Sequence, residues 1–560
     1  MAMGPKKSKS TADVAGARAL VDTLLREGID HVFGIPGTQN LAILDAIRET
    51  PGIRFILTRH EQGAAFMAYG FARASGKPSV VTATEGPGVT NLATGIAAAN
   101  RAFLPVISLC GVQESELRER DSTQDMDQVA FMRPLTKWAC SIPNARKIQE
   151  SMRKAFRVAL TEPRGPTHVE ASSEILLGTT PVEATEPAAY RNTVLPSCSD
   201  AQLDQACALL AKSERPVFVV GRGVLNESAT QAMMALADRV GVPVAVLQYS
   251  PDAFPSTHAL ALGPLGRNGW ESANTTVPKA DLIIAIGAHM DVFSTMFKYG
   301  IFSKDARLIH HCAAPGHIGI VFPVALAITG STASMIAGLN QRSAKAGLRK
   351  RWIDVAKLRD KCDRERLAIV RADAEPIQPQ FVAHMLREIL PRNGLMVVDA
   401  GNAGKHVRNY FQSYEPGTFI CIDDWASVGG AFPIALGAKL ARPDRPVLCA
   451  AGDMGGLCNI AEFETAVRER IPVVLVVFND QGLGNERAFQ QVHYGGRLFA
   501  VDYQNPDFSA LARAFGAHGE QVRKPRELKS ALQRAFDSGK PALVEVCIDQ
   551  NTLAPVVFKA

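Results

Sequence analysis

The chain alternates short, continuously apolar runs with stretches in which apolar residues recur at helical spacing. In the first 177 residues, Val14, Ala17, Val21, Leu24 and Leu25 form a helical stripe, and apolar runs follow around Phe55, Val81 and Ile107. A second alternating block has runs at 217–220, 242–247 and 282–286, and a third has runs at 396–399, 447–451 and 473–478. A run that is apolar at every position suits a strand covered on both faces, and strands that alternate with helices build parallel sheets. The pattern therefore predicts an α/β protein of three doubly wound parallel-sheet domains, at 13–178, 200–340 and 376–560. Residues 179–199 are rich in Thr, Pro, Glu and Ser without periodicity and read as a linker, the charged segment 341–375 reads as a connection, and residues 1–12 read as a disordered tail.

Composition narrows the function classes. With 560 residues and 47% hydrophobic content, the chain is long enough for about three cores. The net charge of +6 is slight, and Lys and Arg beyond the first ten residues are interspersed with acids, so no nucleic-acid partner is expected. No apolar stretch approaches the length of a membrane span and the N-terminus lacks a signal-peptide core, so the expectation is no membrane association and a cytoplasmic protein. The ten Cys are scattered without CxxC pairs, which gives neither a disulfide framework nor a zinc site.

The chemistry concentrates at the ends of apolar runs. In 447–487, VLCAAGDMGGLCNIAEFETAVRERIPVVLVVFNDQGLGNER, Asp453 ends one run and Asn479-Asp480 ends the next. Between them Ile460, Phe463, Ala466 and Val467 recur at helical spacing, so both acids fall at one carboxyl edge of a parallel sheet. Such oxygen ligands suit Mg2+. Gly-Asp and Asn-Asp taken singly are also common turn formers, and only their joint spacing favours the metal. In the first block the run 54–58 leads to Arg59, His60 and Glu61, then to a helical stretch. Taken alone, Glu61 reads first as a helix-start acid facing the dipole. Gly34-Ile35-Pro36-Gly37 is a turn after a strand, and Gly86-Pro87-Gly88-Val89-Thr90-Asn91 follows another strand and opens a helix with exposed backbone N–H groups.

In order and interval these pieces resemble the thiamine-diphosphate enzymes of the acetolactate synthase, pyruvate decarboxylase and benzaldehyde lyase group, with pyrimidine-binding, central and diphosphate-binding domains. The central stretch ALALGPLGRNGWESAN is similar to that of acetolactate synthases and sulfoacetaldehyde acetyltransferases. The resemblance implies thiamine diphosphate and Mg2+ as cofactors. It implies that Glu61 hydrogen-bonds the aminopyrimidine ring, a role suited to a buried acid of raised pKa. It places Gln124 beside the reacting carbon, and Asp453, Asp480 and Gly482 on the metal. Pro36, Gly37, Gly86, Pro87, Asn91, Asn402, Val428, Gly452, Met454, Gly455 and Leu483 would surround the cofactor, Val428 supporting its bent shape. Thr38, Gln39, Gln113 and Phe489 would line the substrate pocket. The resemblance also implies a small-molecule 2-oxo acid or 2-hydroxy ketone as substrate, and a homodimer or homotetramer in which Glu61 of one subunit faces Asp453 and Asp480 of another.

Departures from the family pattern bear on reaction type. Met454 stands where the family usually has Gly, Asp480 where it has Asn, and Glu85 where a small polar residue is common. Glu85 is either proton-active or a surface residue. Glu486 falls where acetolactate synthases are apolar and pyruvate decarboxylases carry a glutamate. An acid there can protonate the carbanionic centre and release an aldehyde, whereas a ligase must preserve that centre for a second carbonyl. The alternative for Glu486 is a solvated helix acid paired with Arg487. The adjacent histidines of pyruvate decarboxylases are absent at Gly111-Val112-Gln113, and Thr38 replaces their aspartate. In the central block the stretch HHCAAPGHIG lacks the aspartate that helps hold FAD in relatives, so FAD is not expected. Its His310, His311 and His317 read as surface or turn residues, since neighbours on a strand point to opposite faces. Gly221-Arg222-Gly223 is a weak dinucleotide signal. The leading expectation is a carboligase of acetolactate synthase type. A decarboxylase or C–C lyase using Glu486 is second, and a cofactor-binding protein with weak or no catalysis, from Met454, Asp480 and Glu85 together, is third.

Overall fold

A computed structural model describes residues 13–292, 294–295, 301–422 and 425–554. The tail expected at 1–12 and the last six residues of the C-terminal domain lie outside them. The chain forms two compact units, Met1–Thr193 and Val194–Ala560.

The first unit contains strands β1 (Asp13–Ala15), β2 (His31–Gly34), β3 (Arg54–Leu57), β4 (Ser79–Ala83), β5 (Val106–Val112), β6 (Trp138–Ser141), β7 (Thr167–Ser172) and β8 (Thr179–Pro181). Six of them form a parallel sheet in the order β3-β2-β4-β5-β7-β6. Every residue of β4, β5 and β7 is buried, as uninterrupted runs covered on both faces require. Strand order reverses between β2 and β4, which opens a crevice at their carboxyl ends. The helices Glu61–Ser75 and Pro87–Arg101 cover this region, and they approach closely because Gly95 has no side chain: a Cβ there would lie 2.4 Å from Ala65 Cβ. The segment read as a linker opens with a strand, since β8 pairs antiparallel with β1.

The second unit holds two further six-stranded parallel sheets. One contains β9 (Pro216–Val220), β10 (Val244–Leu247), β11 (Ala261–Leu265), β12 (Leu282–Ile286), β13 (Arg307–His311) and β14 (Leu326–Ile328), in the order β11-β10-β9-β12-β13-β14. At its reversal, between β9 and β12, the backbones touch: a Cβ on Gly223 would lie 2.6 Å from Gly287 Cα. Gly221-Arg222-Gly223 thus serves close backbone packing. The surface or turn expectation fails for His310 and His311, which are 1% and 0% exposed on β13. Their ring nitrogens are satisfied by backbone, His310 Nε2 by Ala288 O at 2.9 Å and His311 Nε2 by Gly330 O at 3.0 Å. Burial pushes His311 down to about 4 and keeps it neutral. Only His317 lies in a turn, Pro315–His317. The charged connection is largely helical, with helices Thr332–Lys345 and Val355–Ala368.

The last sheet contains β15 (Leu395–Val398), β16 (Phe419–Cys421), β17 (Val447–Gly452), β18 (Val473–Asn479), β19 (His518–Val522) and β20 (Ala542–Cys547). Its order, β16-β15-β17-β18-β20-β19, repeats that of the first sheet, with the reversal between β15 and β17. No described helix is long and apolar enough to cross a membrane.

Candidate active site

The crevice between β15 and β17 is built by three strand ends. After β15 the chain turns at Gly401, φ +91°, into the helix Asn402–Tyr410. β17 ends at Gly452, and Asp453 opens the helix Asp453–Cys458. β18 ends at Asn479 and delivers Asp480 beside them. Asn402, Val428, Met454, Gly455, Gly482, Leu483 and Glu486 line the same cavity. A Cβ on Gly401 or Gly452 would meet no protein atom within 4 Å, so backbone faces open space where a ligand can approach it closely. Two helix N-termini open onto this space, a setting suited to phosphate.

The donor set fits a hard divalent cation. Asp453 is 1% exposed and Asp480 is mostly buried. Burial, then the charge of Asp453, pushes Asp480 up to about 7, and Arg487 opposes the shift. Two close carboxylates with a glycine backbone at Gly482 suit Mg2+, which takes one or two carboxylates plus phosphate and water oxygens. Gly484 keeps the ring of donors tight, since a Cβ there would lie 2.4 Å from Asp480 Oδ2 and 2.8 Å from Asn402 Nδ2. Both oxygens of Asp453 are held in place. Oδ1 accepts from Met454 N at 2.7 Å and Tyr503 Oη at 2.8 Å, and Oδ2 from Gly482 N at 3.1 Å and Asn505 Nδ2 at 2.8 Å. Sequence reading missed Tyr503 and Asn505. They follow the helix Gly484–His493 by several residues and reach Asp453 only through the fold.

Arg487 corrects the pairing considered for Glu486. It is 3% exposed and turned to Asp480 at 3.4 Å and Asp502 at 2.5 Å. Glu486 instead accepts from Asn485 Nδ2 at 2.8 Å, and Lys405 Nζ donates to Asn485 Oδ1. Burial and the charges of Arg267 and Arg408 hold Lys405 down at about 8. Phe489, on the same helix as Glu486, carries Arg267 of the 259–274 stretch 5.4 Å above its ring.

The first sheet has its own crevice, between β2 and β4. Gly37 brings the two loops together: a Cβ there would lie 2.3 Å from Thr84 Cβ. Gly86, φ +64°, caps the helix that Pro87 begins, and a Cβ there would lie 2.7 Å from the carbonyl of Gln124. Gln124 is itself left-handed, φ +73°, and exposed. Glu61 begins its helix and accepts from Asn91 Nδ2 at 3.0 Å. It is only partly buried. Pro36 and Thr38 are exposed, and Thr38 borders a shallow depression with Leu41 and Ser173. Gln39 and Gln113 both meet Glu85. Glu85 is no surface residue, for it has 0% exposure, and burial pushes it up to about 6.

Comparison with known proteins agrees with this arrangement. The N-terminal TPP-binding domain of thiamine pyrophosphate enzymes matches residues 14–131, the central domain 203–339, and the C-terminal TPP-binding domain 399–546. A probable acetolactate synthase large subunit from Methanocaldococcus jannaschii is 32% identical, with 97% of this chain and 93% of the relative covered. The acetolactate synthase large subunit of Haemophilus influenzae is 32% identical over 96% of this chain and 95% of its own. A sulfoacetaldehyde acetyltransferase from Alcaligenes xylosoxydans xylosoxydans is 31% identical over 95% and 92%. With three domain matches in sequence order and relatives aligned over nearly its full length, the chain belongs to the thiamine pyrophosphate enzymes, among their acetolactate-synthase-like members.

Proposed function

We propose that this chain is a thiamine-diphosphate- and Mg2+-dependent carboligase of acetolactate synthase type that acts on 2-oxo acids. The observation that carries the reading is the crevice where Asp453 and Asp480 meet the open backbone of Gly401 and Gly452. Asp453, Asp480 and the Gly482 carbonyl would hold Mg2+, and the N–H groups at the starts of the helices Asn402–Tyr410 and Asp453–Cys458 would take the diphosphate oxygens. When bound, thiamine diphosphate supplies a nucleophilic carbon and an electron sink for the carbonyl carbon under attack. The chain's residues orient that chemistry. Glu61 would hold a proton at the aminopyrimidine, and its partial burial within a single chain supports an assembly, dimer or tetramer, in which a second subunit completes its surroundings. Val428 would support the cofactor's shape, and Gln39, Gln113, Gln124 and Phe489 would bound the substrate. Ten free thiols support a cytoplasmic protein.

A second reading, decarboxylase or C–C lyase, is favoured by Glu486. This exposed acid lines the cavity and is steadied by Asn485. The test is incubation of the purified protein with pyruvate, thiamine diphosphate and Mg2+. The carboligase reading expects acetolactate as the main product, and acetaldehyde in its place overturns it. Glu486→Gln is expected to lower the aldehyde share, and an unchanged ratio removes Glu486 from the chemistry.

A further inference from the structure

We propose that Glu85 is a positioning residue of the substrate pocket, one that turns the Gln39 amide so that an N–H faces the crevice and receives a carboxylate or carbonyl oxygen of a 2-oxo acid. This rests on the reading given under Proposed function. Glu85 lies just past β4, after Thr84, at the reversal point of the first sheet, where Gln39 arrives from β2 and Gln113 from β5.

The hydrogen bonds define which way the amide points. Thr84 Oγ1 donates to Gln39 Oε1 at 2.5 Å, so the amide oxygen is committed to Thr84. Gln39 Nε2 donates to Glu85 Oε2 at 3.4 Å. An amide nitrogen carries two hydrogens, and Gln39 is only partly buried, so its second N–H remains to be offered outward. The position is gripped from the other side by Gly111, where a Cβ would lie 2.4 Å from the Gln39 carbonyl carbon. Glu85 Oε1 has no hydrogen-bond partner among the described residues, although Glu85 is fully buried. A buried acid left half-satisfied is costly, and its presence at a strand end is better explained by what it orients than by stability.

Charge makes this arrangement pH-dependent. The groups acting on Glu85 are Asp125 and Glu170, which raise its pKa, and Arg118 and the Gln113 backbone N–H, which lower it. Above about pH 6 Glu85 is a carboxylate and accepts from Gln39. Below that it is neutral and holds the Gln39 N–H less strongly, so the amide is fixed less firmly toward the crevice.

The test uses the holoenzyme with thiamine diphosphate and Mg2+, and pyruvate as the probe. Glu85→Leu should raise KM for pyruvate about tenfold or more, as loss of a hydrogen bond to a charged ligand does, with kcat within about threefold. Glu85→Gln, which keeps an acceptor, should stay within about threefold of wild type at pH 8. Wild-type KM should rise as pH falls through 6, while that of Glu85→Gln stays flat. Adding Glu85→Leu to Gln39→Ala should cost nothing further, since the two act as one unit. An unmoved KM in Glu85→Leu, additive effects in the double variant, or a wild-type KM flat through pH 6 each overturn the assignment of Glu85 alone. The pH profile decides the matter even where Glu85→Leu fails to fold. A wild-type holoenzyme that leaves pyruvate untouched overturns the carboligase reading itself.

Discussion

At the scale of single residues, buried acids give the site its character. Asp480 adds an anion where the family usually has a neutral amide, and Arg487, buried beside it, offsets that anion before any cation arrives. For Glu85, burial outweighs the opposing Gln113 N–H and Arg118 charge, which sets a stability trend. Its pKa rises from an ordinary 4.5 to about 6 on folding, chiefly by burial. A folded-state pKa above the unfolded value means that the native state holds the proton more tightly. The contribution of Glu85 to stability is therefore most favourable below pH 4.5, declines as pH rises toward 6, and carries its whole cost above 6. The shift corresponds to about 2 kcal/mol. Glu85→Gln should accordingly gain about 2 kcal/mol on wild type between pH 4 and pH 7, read as diverging thermal denaturation midpoints of the cofactor-free proteins. A difference independent of pH would show that Glu85 folds with its ordinary titration. Asp453 and Asp480 were legible in the sequence because a strand-helix-strand unit fixes both at one sheet edge. Tyr503 and Asn505 were not, because their loop reaches Asp453 through tertiary structure alone.

At the scale of elements, the strands that the sequence announced are the fully apolar ones, and their starts shift by a residue or two, as at β10 and β15. Strands of three residues with polar neighbours escape this signal. Thus β8 lay hidden in a segment of linker-like composition, and its pairing with β1 takes Val14 from the expected helical stripe into a strand. His310 and His311 were misread because polar residues on a strand signal exposure only when one face meets water, and both faces of β13 are covered. The contact between helices Glu61–Ser75 and Pro87–Arg101 depends on small residues at one crossing. Gly95→Ala would set its methyl 2.4 Å from that of Ala65 and force the helices apart. The expected loss is about 2 kcal/mol, seen as a lower denaturation midpoint. An unchanged midpoint would show that the crossing relaxes freely.

At the scale of the whole molecule, two of the three sheets share one strand order, and each presents its reversal crevice with the residues that the family resemblance singled out. The central sheet has a different order and closes its reversal with glycine backbone. Fold class and cofactor were legible because apolar runs and strand-end motifs are local features. Substrate choice was not, since a pocket is shaped by side chains from many elements and each methylene is worth only about 1 to 3 kcal/mol of discrimination. The proposed binding of thiamine diphosphate in the β15/β17 crevice, through a divalent cation on Asp453 and Asp480, underlies the whole reading of this site. Titration calorimetry of the cofactor-stripped protein tests it directly. Thiamine diphosphate should bind in the presence of Mg2+, weaken about a hundredfold or more when Mg2+ is chelated, and weaken similarly in Asp453→Ala with Mg2+ present. Binding of equal strength with and without Mg2+, or no binding at all, would contradict the account.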